Sequence, residues 1–207
     1  LLHGRLNKYF AIPGIRDTDS YELEGSSSGG DTENPTPPSG SGIDVTSADL
    51  NTLATRTSYT GSVTTTDGWT LTNGAVQCGT TGSDSNPAFG FIGSPDTRAA
   101  CLNGKVGACG SLVSPVISGG IKTLTFKYGF AFAETKCQFT INIKQNGSVV
   151  ASKTVTLDSI TKLTAMDFSW DANVSGDFVM EIVNDAYSQT STGNKDRVSI
   201  WNISWTR

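Results

Sequence analysis

Thr123-Leu-Thr-Phe-Lys-Tyr-Gly-Phe-Ala-Phe132 and, after Ala133-Glu-Thr-Lys136, Cys137-Gln-Phe-Thr-Ile-Asn-Ile-Lys-Gln145 decide the fold class. Leu124, Phe126, Tyr128, Phe130 and Phe132 fall on every second residue, as do Phe139, Ile141 and Ile143. Strict alternation is the period of a strand with one face on a core. The short connection predicts an antiparallel hairpin, with Gly129 as a bulge or close-approach point. The intervening Lys127, Gln138, Asn142 and Lys144 would then share its wet face.

Outward from this pair, the same short, turn-bounded pattern repeats. It predicts strands near Trp69–Thr72, Ala75–Cys78, Ala88–Ile92, Arg98–Leu102, Ser111–Val116, Val149–Leu157, Thr164–Trp170, Phe178–Asn184 and Val198–Trp205. The last is apolar on both sides, which predicts a central strand with Trp201 and Trp205 in the core. Thr46–Leu53 reads as one helical turn, capped by Ser47, or as an edge segment. With no convincing helix, the fold class is all-β: an antiparallel two-sheet β-sandwich of jelly-roll type.

Residues 24–42, Glu-Gly-Ser-Ser-Ser-Gly-Gly-Asp-Thr-Glu-Asn-Pro-Thr-Pro-Pro-Ser-Gly-Ser-Gly, are a linker by composition, spanning roughly 20–25 Å as a coil. They divide the chain into a short β remnant (1–23), the linker (24–42) and the sandwich (43–207). In the remnant, Leu2–Phe10 reads as a strand, Ala11–Arg16 as a turn and Ser20–Leu23 as a last short strand. So few residues cannot bury a core alone, so they are expected to belong to a larger upstream body, to pack on the sandwich or to pair with another chain. Leu1-Leu-His-Gly-Arg5 has neither an initiating Met nor a signal-peptide apolar run. The chain is therefore expected to be a piece of a longer precursor, exported to the cell surface or beyond.

Composition narrows the partners. Of 207 residues, 16% are charged and the formal net charge is −4, with no basic cluster larger than the split pair Lys195 and Arg197. That argues against nucleic acid, whose phosphates need clustered cations. No apolar run approaches the ~20 residues that span a bilayer. The four cysteines, Cys78, Cys101, Cys109 and Cys137, permit two disulfides in three pairings, and Cys101 and Cys109 flank a turn that can bring them together. With His3 as the sole imidazole, Ser/His, Cys/His and zinc chemistry find no support.

Candidate binding residues lie in turn-rich sequence. A sugar site needs an aromatic face and planar amide, carboxylate or Arg partners. Tyr59, Trp69 and Tyr187 offer rings. Asn184, Asn194, Asp196 and Arg197 bracket the long polar excursion 185–196, and Asn103 and Lys105 can join them at the same end of the sandwich. Asp84 and Asn86, together with Asn194 and Asp196, are the oxygen donors available to a structural calcium. Glu181 and Asp185 share a strand face and are the one carboxylate pair that a retaining glycosidase can use.

Two resemblances add to these readings. Gly4-Arg-Leu-Asn-Lys-Tyr-Phe-Ala-Ile-Pro-Gly-Ile-Arg-Asp-Thr-Asp-Ser-Tyr-Glu-Leu23 resembles the closing strands of small OB-type barrels. Asp67-Gly-Trp-Thr70, Ala100-Cys-Leu-Asn-Gly-Lys105, Gly110-Ser-Leu-Val-Ser-Pro115, Leu124-Thr-Phe-Lys-Tyr-Gly-Phe130 and Asn194-Lys-Asp-Arg-Val-Ser-Ile-Trp201 resemble blocks of C-terminal sandwich modules in exported gut-bacterial proteins. Those modules are similar to galactose-binding-like jelly rolls. The resemblance implies a non-catalytic carbohydrate-binding module with a glycan ligand. A structural or protein-interaction module is the alternative, and a glycoside hydrolase the third.

Overall fold

The structure is a computed structural model that describes residues 5–9, 12–16, 44–78, 92, 96–132, 134, 136–158, 164–187 and 193–207. The chain divides into two compact units, Leu1–Ser41 and Gly42–Arg207. In the first, β1 (Arg5–Tyr9) and β2 (Ile12–Arg16) form an antiparallel ladder running from Arg5 opposite Arg16 to Tyr9 opposite Ile12. The segment expected as a turn is therefore mostly strand. Pro13 does not prevent this, because in a two-stranded ladder its missing N–H can lie on an open edge. Ser20–Leu23 and residues 24–42 lie outside the described residues.

The second unit contains β3 (Val45–Ser47), β4 (Ser62–Thr64), β5 (Thr70–Thr72), β6 (Gly74–Cys78), β7 (Arg98–Leu102), β8 (Ser111–Val113) and β9 (Ile121–Phe130). It continues with β10 (Lys136–Gln145), β11 (Ser148–Asp158), β12 (Met166–Val174), β13 (Val179–Asn184) and β14 (Val198–Thr206). One sheet has the order β11-β10-β13-β8-β5-β4; the other runs β12-β9-β14-β7-β6, with β3 also on β14. Every pairing is antiparallel, and the chain passes between sheets after β3, β5, β7, β8, β9, β11, β12 and β13, as in a jelly roll. The fold is thus an all-β, two-sheet antiparallel sandwich. Among the described residues the helical content is the 3-10 turn Leu50–Thr52 and 3-10 backbone at Ile92, and no helix is long and apolar enough to cross a membrane.

Alternation in the quoted stretch does build the core. Leu124, Phe126, Phe130, Phe139, Ile141 and Ile143 are buried, with Tyr128 nearly so. Phe126 stacks on Phe168 with centroids 4.3 Å apart, and the Phe139 ring lies 6.1 Å from Phe126 and 5.6 Å from Tyr128. The expected hairpin, however, does not exist. β9 and β10 belong to different sheets and meet face to face, because their apolar sides satisfy each other better across the sandwich than side by side. The wet residues consequently split between two outer faces: Lys127 pairs with Asp167 at 2.7 Å on one, and Lys144 with Glu181 at 2.7 Å on the other. Gly129 stands in regular register opposite Ser199, and the irregularity in that pairing falls between Trp201 and Ser204.

β14 is central, flanked by β9 and β7, and both its tryptophans are buried. Trp205 packs 6.2 Å from Trp69 in the main core, while Trp201 joins Ile92 and Ala99 in a separate cluster. Ser47 closes β3 and caps nothing; the residue before the 3-10 turn is Asp49, without a side-chain capping bond. β4 was hidden in the polar stretch 56–67, and of the segment Ala88–Ile92 only Ile92 is described. The long edge strand β11 carries Lys153 opposite Ile141, a charge on the inward side that opposes edge-to-edge pairing.

Candidate functional site

A row of small residues crosses four strands on the outer side of the second sheet: Ala75 of β6, Cys101 of β7, Ser199 of β14 and Gly129 of β9. Their neighbours of opposite parity, among them Val76, Ala100 and Ile200, face the main core. The small row lets irregular chain come down close to the sheet. Ala75, Cys101 and Ala131 form an apolar cluster, and the rings of Tyr59 and Phe132 pack on it. The Tyr59 hydroxyl lies 3.3 Å from Cys101 Sγ.

The approach of residues 55–60 is fixed by an isolated bridge in which the Val76 N–H donates to the Arg56 carbonyl at 2.9 Å. Arg56 in turn holds its own loop, Nε donating to the Ser58 carbonyl at 3.1 Å and Nη2 to the Thr60 carbonyl. These parts leave a cavity of about 440 Å³ lined by Thr55–Thr57, Tyr59, the β6 residues from Ala75 to Cys78, and Phe132. A cavity of this size accommodates a small organic ligand. On its floor the Ser199 hydroxyl donates to Gln77 Oε1, which leaves the Gln77 Nε2 donors without a partner among the described residues.

Phe132 is held by an uncommon backbone. Its φ of 69° lies in the left-handed region, where a bulky side chain is strained. The Arg197 guanidinium sits 4.1 Å from the Phe132 ring centroid and 5.9 Å from that of Tyr59. Arg197 Nε donates to Glu134 Oε1 at 2.5 Å, and Glu134 Oε2 accepts the Asp196 N–H at 3.1 Å. Burial alone would lower the Arg197 pKa, but the hydrogen bond and charge of Glu134 outweigh it and the net shift is upward. Burial, then Cys101, pushes the Tyr59 phenol far up, and burial pushes the Cys101 thiol to about 11. Both stay protonated at neutral pH. A neutral, buried thiol is a poor nucleophile.

Several residues singled out in the sequence do converge, in a different role. Asn103 Nδ2 donates to Asn194 Oδ1 at 3.0 Å, and Asn184 Nδ2 to the Asp196 carbonyl at 2.6 Å. Asn184 Oδ1 accepts the Ala186 N–H at 2.9 Å, and Gly104 N–H donates to the Lys195 carbonyl at 2.8 Å. A Cβ at Gly104 would lie 2.6 Å from that carbonyl. Asn103 and Asn184 are each 1% exposed and Asp196 is 7% exposed, so they staple the loops together beneath the surface. Trp69, 2% exposed, offers no ring face.

The remaining candidates scatter. Tyr187 is half-buried, with Lys136 Nζ 6.0 Å from its ring, and the Lys105 carbonyl accepts the Ala108 N–H. Of the sequence candidates, Tyr59 lines the cavity itself and Arg197 reaches its wall through Phe132. Asp84 and Asn86 lie outside the described residues. Among the described residues no group of three or more His, Cys, Asp or Glu gathers to hold an ion, and the Asn194 oxygen is already engaged by Asn103. Cys101 and Cys109 are unbridged thiols, Cys109 Sγ donating to the Lys105 carbonyl.

Glu181 and Asp185 are not an opposed pair. They are four residues apart along an extended chain, about 13 Å at the usual strand rise, against the ~5–5.5 Å of a retaining site. Each is held by its own neighbours: Glu181 by Lys144 and Asn142, Asp185 by Gln138 and Thr140. Burial raises the Glu181 pKa, but the Lys144 and Asn142 hydrogen bonds and the Lys144 charge lower it on balance. That is opposite to what a general acid requires.

Arg56, Gln77, Phe132 and Glu134 were missed in sequence. The available signal was an aromatic at a strand end between two alanines, immediately before the sole acid of that connection. No family model matches the chain, and no curated protein matches it significantly. Solved structures with a similar fold include a glycoside hydrolase family 43 arabinoxylan arabinofuranohydrolase from Bacillus subtilis, at 10% identity and a TM-score of 0.40, covering 66% of this chain. This chain spans 25% of that enzyme's length. They also include CsCBM6-3 from Clostridium stercorarium in complex with cellobiose, at 14% identity and a TM-score of 0.40, covering 74% of this chain and 96% of the other. A third is the CBM22-1 xylan-binding domain of Paenibacillus barcinonensis Xyn10C, at 8% identity and a TM-score of 0.40, covering 72% and 91%.

Proposed function

We propose that residues 43–207 form a non-catalytic carbohydrate-binding module of an exported, multidomain bacterial protein, tethered by residues 24–42 behind an upstream β-domain. The observation that carries this reading is the cavity beside Tyr59 and Phe132, which combines aromatic rings with the hydroxyls of Thr55 and Thr57 and the Gln77 amide. Aromatic faces take the apolar side of a pyranose, while amides and hydroxyls take its rim. Cys101, the buried nucleophile nearby, is neutral, and among the described residues no carboxylate lines the cavity.

A glycan array followed by titration calorimetry on the whole chain tests the proposal. Phe132→Ala should weaken binding about tenfold, the scale of one lost aromatic contact, with the fold intact by circular dichroism. Unchanged affinity would move the site to the half-buried Tyr187 and Lys105. Absence of any glycan binding would favour an interaction module, for which the exposed Val149 and Val150 on edge strand β11 are the specific observation.

A further inference from the structure

We infer that the cavity selects an anionic saccharide, one bearing a uronate carboxylate or a sulfate ester, with Arg56 as the group that recognises the charge. The inference rests on the carbohydrate-binding reading above and narrows it to a ligand class.

Among the described residues Arg56 is the one charged residue that lines the cavity. Its guanidinium is fixed in orientation, since Nε and Nη2 are each committed to a carbonyl of the same loop. Neutral carbonyls satisfy donors without cancelling the charge. Among the described residues Nη1 has no partner and Arg56 forms no salt bridge. Three of the five N–H donors of a pre-oriented cation, two on Nη1 and one on Nη2, are therefore left for an acceptor from outside.

The second arginine nearby behaves differently, and the contrast carries the inference. Arg197 is paired with Glu134 at 2.5 Å and covered by Phe132, so its charge is compensated within the protein. Arg56 has no such counter-ion among the described residues. Hydrogen bonds from a charged donor to a charged acceptor are about twice as strong as neutral ones, and a guanidinium held in place loses little freedom in making them. A neutral sugar hydroxyl can occupy the same donors but collects only the weaker interaction.

The test uses the whole chain and four probes: oligogalacturonate, its methyl-ester form, a sulfated galactan (carrageenan) oligosaccharide that lacks uronate, and cellotetraose. Calorimetry at low salt should show an acidic probe binding at least tenfold tighter than cellotetraose, with the preference shrinking as salt is raised. Methyl esterification should abolish the advantage of the galacturonate. Arg56→Gln should lower acidic-probe affinity at least tenfold and cellotetraose affinity by less, so that the ratio of the two falls toward one, and a thermal melt would establish that this variant is folded. The esterified probe gives the same answer on the unaltered protein if it is not. Preference for galacturonate over the sulfated galactan assigns the carboxylate, and the reverse assigns the sulfate ester. Equal binding of acidic and neutral probes, lost in Phe132→Ala, would overturn the charge assignment and leave the carbohydrate reading standing. No binding of any of the four would overturn both.

Discussion

Removing the Glu134 carboxylate isolates what holds the cavity wall. In Glu134→Ala, Arg197 loses its charge-assisted partner at 2.5 Å and the Asp196 N–H loses an acceptor at 3.1 Å. The Glu134 and Arg197 side chains are 10% and 19% exposed, so water replaces little of either interaction. Breaking a buried ion pair from one side costs about 3–5 kcal/mol. Arg197 keeps the Phe132 ring and reaches some solvent, which places the expected loss just below that range, about 2–3 kcal/mol. For a unit of this size that is a fall in melting temperature of roughly 4–12 °C. Urea unfolding at neutral pH, monitored by tryptophan fluorescence, measures it directly. Adding Arg197→Met should recover part of the loss, because an apolar side chain strands no charge. A loss below about 0.5 kcal/mol that disappears in 1 M salt would mean the pair behaves as an exposed one. The account of Arg197 as an internally compensated cation would then be wrong.

Three further outcomes follow from the same geometry. Trp69→Ala should cost about 3–5 kcal/mol of stability, with the affinity of the folded fraction for glycan unchanged, since that ring packs against Trp205; selective loss of binding would contradict its placement. The Cys101 pKa is pushed up to about 11, so the native state holds this proton at pH values where the unfolded chain has lost it. The corresponding stability is intact below the ordinary thiol range and is lost as pH rises to about 11; Cys101→Ala should flatten that slope in denaturant titrations at pH 8–11. Lys153→Val should change stability by less than about 0.5 kcal/mol yet promote self-association in sedimentation velocity, because β11 would lose its inward charge.

Period-two alternation made the strands legible, since burial on one side writes directly into sequence. Arg98–Leu102 and the centrality of Val198–Thr206 are cases where pattern alone sufficed. Alternation is blind to which apolar face meets which. Phe126 and Phe139 carry the same periodic signal whether they lie in one sheet or in two, and the structure puts them across the sandwich. The binding candidates failed for a related reason. Asn and Asp in a long loop look alike whether they satisfy the chain or await a ligand. Asn103, Asn184 and Asp196 were grouped correctly, but Asn103 Nδ2, the Asn184 amide and the Asp196 backbone are consumed within the protein, and Asn103 Oδ1 is buried without a partner.

The position of the cavity follows from side-chain size more than from loop length. A sheet whose outer side is crossed by Ala75, Cys101, Ser199 and Gly129 presents a shallow trough, which water would fill poorly over apolar atoms. Tyr59 and Phe132 cover it, and each is anchored from a different direction: Tyr59 through the Arg56–Val76 bridge, Phe132 through Arg197 and Glu134. Two rings brought in on independent supports over a floor of small residues leave a gap that neither can close. Enlarging the floor should therefore fill the gap from beneath. Ala75→Leu adds volume at the cavity floor, and it should abolish ligand binding at a stability cost of about 1–3 kcal/mol, the usual range for overpacking. Full binding retained in a folded Ala75→Leu protein, measured by the same calorimetry, would show that the ligand never enters this space.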